Sequence, residues 1–456
     1  MPPSTKSTKT AANASLARRL LFPTTPEQPL LLTGVPPELN DELYDFLALA
    51  LRAFVLPWWG KLTRFDKEFL PEITRVVIQV VHALETRARD ADLSTLVLRT
   101  IPTILARHYA DFHLAHARRG TSYAGAADDS LARTFHALQP HIALTPDGTG
   151  ALRTEYLREA VERVLALVLP PQDYASQAER EIVREIFVKV LLADVFPRVV
   201  QPWFIQKQVL ELLGPPRAPP QRPVFQNGFS FHALVVLFLS AVQAISTACL
   251  AAISISQRAW HGFATLHSAS ANAPTVPGST TAAIATAGEV FTLRSRFASA
   301  VVMSFLEMGS VFVAPYYDRY APYMLYDRVF TADFLHKVLV LGKKMLFPNG
   351  YPGPPPIDPT PEEQAVIRES LEIRLAGLLP ESLAKVLIGQ DMPSRRQTIK
   401  CAIDPLGSVP CNNHLLVFIL DALLLTLFPE MGLDGASLSA PAIFETPATT
   451  PVDGTP

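Results

Sequence analysis

Residues 229–255, FSFHALVVLFLSAVQAISTACLAAISI, run for about 27 positions without Asp, Glu, Lys or Arg. A helix of that length reaches across the ~30 Å hydrocarbon core of a bilayer, and uncharged runs of roughly 18 residues or more are spanning candidates. The run lies mid-chain, so its flanks decide whether it spans a membrane, rests in one, or serves the protein body. Its candidate lipid or membrane contacts are Phe229, Phe231, Leu234, Val235, Leu237, Phe238, Val242, Ile245, Leu250 and Ile253, with Trp260 just beyond. On a helical wheel His232, Ser240, Gln243, Thr247 and Ser254 gather on one narrow stripe, which suits packing on another helix and leaves the remaining face apolar.

The rest of the chain is also greasy. Hydrophobic residues make up 49% and charged residues 18% of 456 positions, against roughly 25% charged in an ordinary soluble domain. A net charge of -2 provides no broad basic field, so nucleic acid is not an expected partner. Cys249, Cys401 and Cys411 show neither a CxxC pair nor metal-ligand spacing, and fit a reducing cytosol. The first 37 residues, basic and rich in Ser, Thr and Ala up to residue 26, read as a flexible tail.

From residue 38 to 214 the apolar spacing is helical. Leu43, Phe46, Leu47, Ala50, Leu51 and Phe54 predict one helix, closed by Pro57. Ile73, Val76, Val77, Val80, Val81 and Leu84 predict a second, and the pattern recurs over 93–109, 156–169 and 182–195. No period-two run competes, so this half is expected to be all-α, with helices of about 10 to 18 residues. Trp58 and Trp59 cap a helix and fill the core, or anchor at a membrane interface. His113 and His116 share a helical face near His108, but only Asp111 offers a further ligand there, so no metal is expected. Arg158 and Arg184 are expected to pair with carboxylates such as Glu155 or Glu181.

In order, Phe54-Val-Leu-Pro-Trp-Trp59, Arg107-His-Tyr-Ala-Asp-Phe-His-Leu-Ala115, Glu155-Tyr-Leu-Arg158, Leu169-Pro-Pro and Glu181-Ile-Val-Arg184 resemble the PX-associated (PXA) domain of certain sorting nexins and related fungal proteins. Trp58, Trp59, His108, Tyr156, Arg158 and Arg184 are the landmarks of that resemblance.

A proline-rich hinge, 215–228, leads into the apolar run, and the Ser-, Ala- and Thr-rich 256–288 reads as a flexible loop. Helical spacing returns at 297–313, 324–346, 362–379 and 412–428. Over 289–431, Leu346-Phe-Pro-Asn-Gly350, Leu387-Ile-Gly389 and the stretch from Asn412 to Glu430 are similar to the sorting nexin C-terminal (nexin C) domain. Asn413, His414, Asp421 and Pro429 are its landmarks. The interval between the two matches is too short and too apolar for a PX or RGS domain. Residues 432–456 read as a disordered tail. Asp421 interrupts an apolar helix and needs a partner, such as His414 or an arginine from elsewhere.

No nucleophile elbow, P-loop, dinucleotide fingerprint or HExxH string occurs, and no catalytic residue or cofactor is expected. The paired resemblance implies one all-α body in which the PXA-like and nexin-C-like ends pack together around an elongated apolar cavity. It further implies a membrane-associated protein on the cytosolic face of the endoplasmic reticulum, endosomes or their contact sites, which tethers membranes and binds or transfers phospholipid or another lipid. The alternative is a non-catalytic interaction scaffold in membrane traffic with a solid core. A single crossing by 229–255 would place the two ends on opposite sides of the bilayer. That leaves a hairpin with 297–313, where Glu307 would be costly, partial embedding near Arg258 and Trp260, or a helix that covers or plugs the cavity.

Overall fold

Proline sets the helix boundaries. The computed structural model describes residues 16–23, 28–63, 68–121, 130–145, 147, 149–214, 274–347, 349–351, 358–379 and 381–433. Helix α2 (Pro37–Phe54) gives way at Val55 to α3 (Leu56–Leu62), which has Pro57 in its first turn. Pro57 therefore opens a helix rather than closing one, because an N-terminal turn has no use for the missing N–H. Two π-helical turns obey related logic. Leu96–Thr100, between α5 (Leu93–Thr95) and α6 (Ile101–Arg118), precedes Pro102, and Val190–Val195, between α10 (Gln177–Lys189) and α11 (Phe196–Val199), precedes Pro197. Widening the turn relieves the clash between the proline ring and the carbonyl four residues back.

All the regular structure among the described residues is helical, apart from an isolated bridge between Leu144 and Leu152. The first half also contains α4 (Phe69–Asp90), α7 (Leu131–Leu138), α8 (Thr154–Val168), α9 (Pro171–Ala175) and α12 (Pro202–Leu213). At 22 residues α4 exceeds the expected range. The second half contains α13 (Ser279–Val290), α14 (Phe297–Arg328), α15 (Ala332–Leu346), α16 (Pro361–Ala376), α17 (Glu381–Leu387), α18 (Met392–Ile403), α19 (Val409–Leu427) and α20 (Glu430–Leu433). Glu363 at the start of α16 completes a reciprocal capping box with Thr360.

Two flexible-segment expectations need correction. Within the expected 1–37 tail, α1 (Leu16–Leu21) buries Ala17 and Leu21 against Tyr44, Ala48 and Leu51 of α2. Its LARRLL pattern puts enough leucine on one side to join the core. Within the expected 256–288 loop, α13 uses its small residues for close packing. The methyl carbon of Met303 would lie 3.1 Å from a Cβ at Gly288, and the Thr286 hydroxyl donates to the Pro102 carbonyl at 2.8 Å. Composition alone could not separate a pliant loop from a helix built for close approach.

The two halves share one core. α19 lies against α4, α6 and α7 of the first half, with Val417 clustered among Ala143, Leu144, Leu157 and Phe196. Val209, Leu210 and Leu213 of α12 pack on a cluster of Leu371, Ala384, Ile388, Ile399 and Ile403. α19 is apolar and long enough to cross a bilayer; Cys411, Asn412, His414, Leu415 and Val417 in its first half are buried by protein, whereas Leu423 and Leu425 near its end are exposed.

Candidate membrane-facing surface

α14 is built the reverse way from a water-facing helix. Between Phe297 and Pro315 its only ionisable side chain is Glu307. Its buried positions there are Ser299, Met303 and Ser310, which share one side. The opposite side carries Phe297, Val301, Phe305, Met308 and Phe312, spaced by four, four, three and four. These large residues are exposed, Phe305 at 64% and Phe312 at 76%. Moving such a side chain fully out of water favours transfer by roughly 1.5–3 kcal/mol, so the stripe strongly disfavours a water-facing state. Glu307 sits on the flank and accepts a hydrogen bond from Arg294, which leaves the stripe uncharged.

Past Pro315 the character changes. Tyr316, Tyr317, Tyr320, Tyr323 and Tyr326 crowd into about three turns, and Tyr316, Tyr317, Tyr323 and Tyr326 are exposed. Pro322 has no N–H to donate to the Asp318 carbonyl, and that carbonyl accepts instead from Val276 N at 2.8 Å. The Asp318 carboxylate accepts from Gly278 N, Ser279 Oγ, Thr280 N and Thr280 Oγ1 at 2.8–3.0 Å, capping α13 from a neighbouring helix. Burial pushes this carboxyl up in pKa, but the four hydrogen bonds outweigh it and hold the group below its ordinary value. α13 in turn packs along α6. At the other end Arg296 donates to Leu387 O, Ile388 O and Thr398 Oγ1, fixing the start of α14 to α17 and α18. α14 is thus held at its start by Arg296, at Met303 against Gly288, and at Asp318.

α15 continues the exposed apolar surface with Phe334, Val338 and Leu341. It is tied to α2 by an ion pair between Lys343 and Glu42, and Phe347 beyond it packs edge-on against Phe46 and Phe54. Arg52 of α2 donates to Gly350 O and lies 4.5 Å over the Tyr351 ring.

The landmarks of the two halves meet one another. Asp421 accepts from Tyr156 Oη and pairs with His141 Nε2 at 2.9 Å, so its partners are neither His414 nor an arginine. His141 lies just after α7, outside the segments with helical spacing. His414 instead faces His136 at 3.3 Å and the edge of Phe135, whose ring also meets buried His108. Asn413 donates to Gly150 O, and Asn412 to Val200 O. Burial pulls the pKa of His108 down to about 4, and burial together with His136, His108 and His141 pulls that of His414 down to about 3. Both imidazoles are therefore neutral near pH 7, and neutral rings can serve as both donor and acceptor.

Arg158 and Arg184 do pair with carboxylates, but with Glu185 for the first and Glu162 and Glu185 for the second. The expected Glu155 and Glu181 are displaced because α8 and α10 lie side by side, and the contacts run between helices. Trp59 stacks on Phe69 at 3.6 Å, while the Trp58 side chain lies outside the described set. Pro429 is exposed at the end of α19, between buried Phe428 and Glu430, and Arg87 holds both of these neighbours. No group of three His, Cys, Asp or Glu side chains suited to a metal occurs among the described residues.

The run 229–255, with Phe229, Phe231, Leu234, Val235, Leu237, Phe238, Val242, Ile245, Leu250, Ile253 and, beyond it, Trp260, lies outside the described residues. Its flanks are described. Leu213 O and Gly214 O accept from Arg374, and Val276 is tied to α14, so both flanks join one packed body. The α14 stripe was only half legible: the hydropathy of 297–313 was plain, whereas the direction of packing depends on α13.

Comparison with known proteins matches residues 36–212 to the PXA domain family. Sorting nexin-13 of Mus musculus is 25% identical over 185 residues, covering 38% of this chain and 19% of that protein. Sorting nexin-13 of Homo sapiens is 23% identical over 182 residues, covering 38% and 19%. Sorting nexin-14 of Danio rerio is 24% identical over 184 residues, covering 40% and 19%. The chain thus matches about a fifth of the length of these curated relatives. No solved structure matches. Residues 36–212 thus match the PXA domain family, and over that part the chain is similar to the sorting nexins named above.

Proposed function

We propose that this protein works in endomembrane traffic as a membrane-associated lipid-binding and lipid-transfer or tethering protein, with no chemical step. The observation that carries this reading is the uncharged, outward-facing apolar stripe of α14 on a body whose two halves share a core. The sorting nexin relatives and the PXA domain support the trafficking role. The C-terminal half resembles a nexin C domain, and its landmark residues in α19 contact those of the PXA half, as a joint lipid-handling unit requires. In this reading phospholipid occupies an apolar cavity within the joined helices, and the site of action is the cytosolic face of the endoplasmic reticulum, the endosome or a contact between them. Apolar walls suffice for such a carrier.

A fluorescence-dequenching assay between donor and acceptor vesicles tests the reading. Catalytic amounts of the full chain should move labelled phospholipid well above the spontaneous rate. Transfer no faster than in protein-free controls would refute the carrier role, and vesicle clustering without transfer would restrict the protein to tethering.

A further inference from the structure

We propose that α14 docks the protein on a phospholipid bilayer with its axis along the leaflet, sinking Phe297, Phe305, Met308 and Phe312 among the acyl chains. The tyrosines of its C-terminal half then stand at headgroup level. This inference rests on the membrane reading above and adds the element, the residues and the geometry.

Three observations select this occupant. The first is the placement of side chains: only the narrow strip of Ser299, Met303 and Ser310 is buried, while Phe297, Val301, Phe305, Met308 and Phe312 on the opposite side are exposed, as are Leu306 and Val313 beside the strip. Lipid-exposed helices pack through small residues because lipid, rather than a protein core, accommodates their bulky ones. The second is the order along the helix. An uncharged stripe is followed by a dense group of tyrosines, with Arg319 and Arg328 among and after them. Tyrosine concentrates where one end of a side chain must be apolar and the other wet, at the bilayer interface. The third sets the orientation. α13 occupies the inward face of α14, locked there by Asp318, and is itself packed on α6. Crossing the bilayer would drag α13, Glu307 and Arg294 into the hydrocarbon, whereas lying in one leaflet immerses the stripe alone.

Flotation of the full chain with phosphatidylcholine–phosphatidylserine vesicles provides the test. Wild-type protein should float, and Phe305→Glu/Phe312→Glu should lower the vesicle partition coefficient by at least about tenfold. Both side chains are exposed, so the unfolding midpoint of the variant should match wild type. Should the glutamate pair unfold the protein, a Phe305→Trp variant gives an independent reading. Its added fluorescence should be quenched by brominated lipids, and more strongly by bromines near the headgroup end of the acyl chain than by bromines near the bilayer centre. Unchanged flotation of the folded glutamate variant, or an indole that lipid bromines do not quench, would overturn docking through α14 and leave membrane association standing. Stronger quenching at the bilayer centre would overturn the in-plane geometry. Wild-type protein that stays with the pellet would overturn both this inference and the membrane reading, and would assign the stripe to a protein partner.

Discussion

Asp421 shows what one residue does for this molecule. It is a carboxylate on the apolar helix α19, and it is stabilised by two side chains from the other half, Tyr156 and His141. Replacing it with alanine leaves both donors without their acceptor, at a cost of about 1–3 kcal/mol. Because the contact joins the halves, Asp421→Ala should shift a single calorimetric transition of the whole body to lower temperature. A variant trace that splits into two transitions would instead show halves that unfold independently.

His108 and His414 set the pH response at the same joint. Their folded pKa values, about 4 and about 3, lie below the ordinary value of 6.5. Between those limits the unfolded chain binds protons that the folded chain does not, so stability is complete above pH ~6.5 and declines as pH falls toward the folded values. The slope approaches about 1.4 kcal/mol per pH unit for each ring. Melting temperatures measured from pH 7.5 down to about 4.5 should fall steadily, and His414→Phe should flatten the curve. A melting temperature indifferent to pH in this window would contradict the burial of neutral rings.

At the scale of elements, α14 and α13 form a unit that depends on a proline. Pro322 frees the Asp318 carbonyl for Val276, while the Asp318 carboxylate caps α13. Asp318→Ala removes an acceptor shared by four donors. Hydrogen exchange should therefore accelerate across residues 276–290 and along the inward face of α14, while α2 and α4 keep their protection. Uniform acceleration would mean that Asp318 supports the whole fold rather than this pair.

Helix periodicity carried the all-α reading and most of the helix positions, because apolar spacing is a local property that survives in the chain. Partner choice was less legible. Arg158 finds Glu185 rather than Glu155 because the pairing depends on how α8 lies on α10. α13 is illegible in the sequence because its Ser, Thr and Ala residues are as typical of loops as of helices in close contact. The buried strip of α14 depends on α13, which packs against it, and no local pattern in 297–313 encodes that partner.

At the scale of the whole molecule, two halves distant in sequence become one object. The Leu346–Gly350 segment docks on α2, α19 enters the core of the PXA half, and Arg87 of α4 holds Leu427 O and Glu430 at the end of α19. A body assembled in this way holds both flanks of residues 215–273 and turns the α14 stripe outward. These are the arrangements that a protein feeding lipid between its interior and a leaflet requires. Lipid extraction and mass spectrometry of the purified chain test the claim most directly. The account predicts phospholipid retained at a fixed molar ratio through size-exclusion chromatography, whereas protein that emerges folded and free of lipid, and takes up none from vesicles, would contradict it.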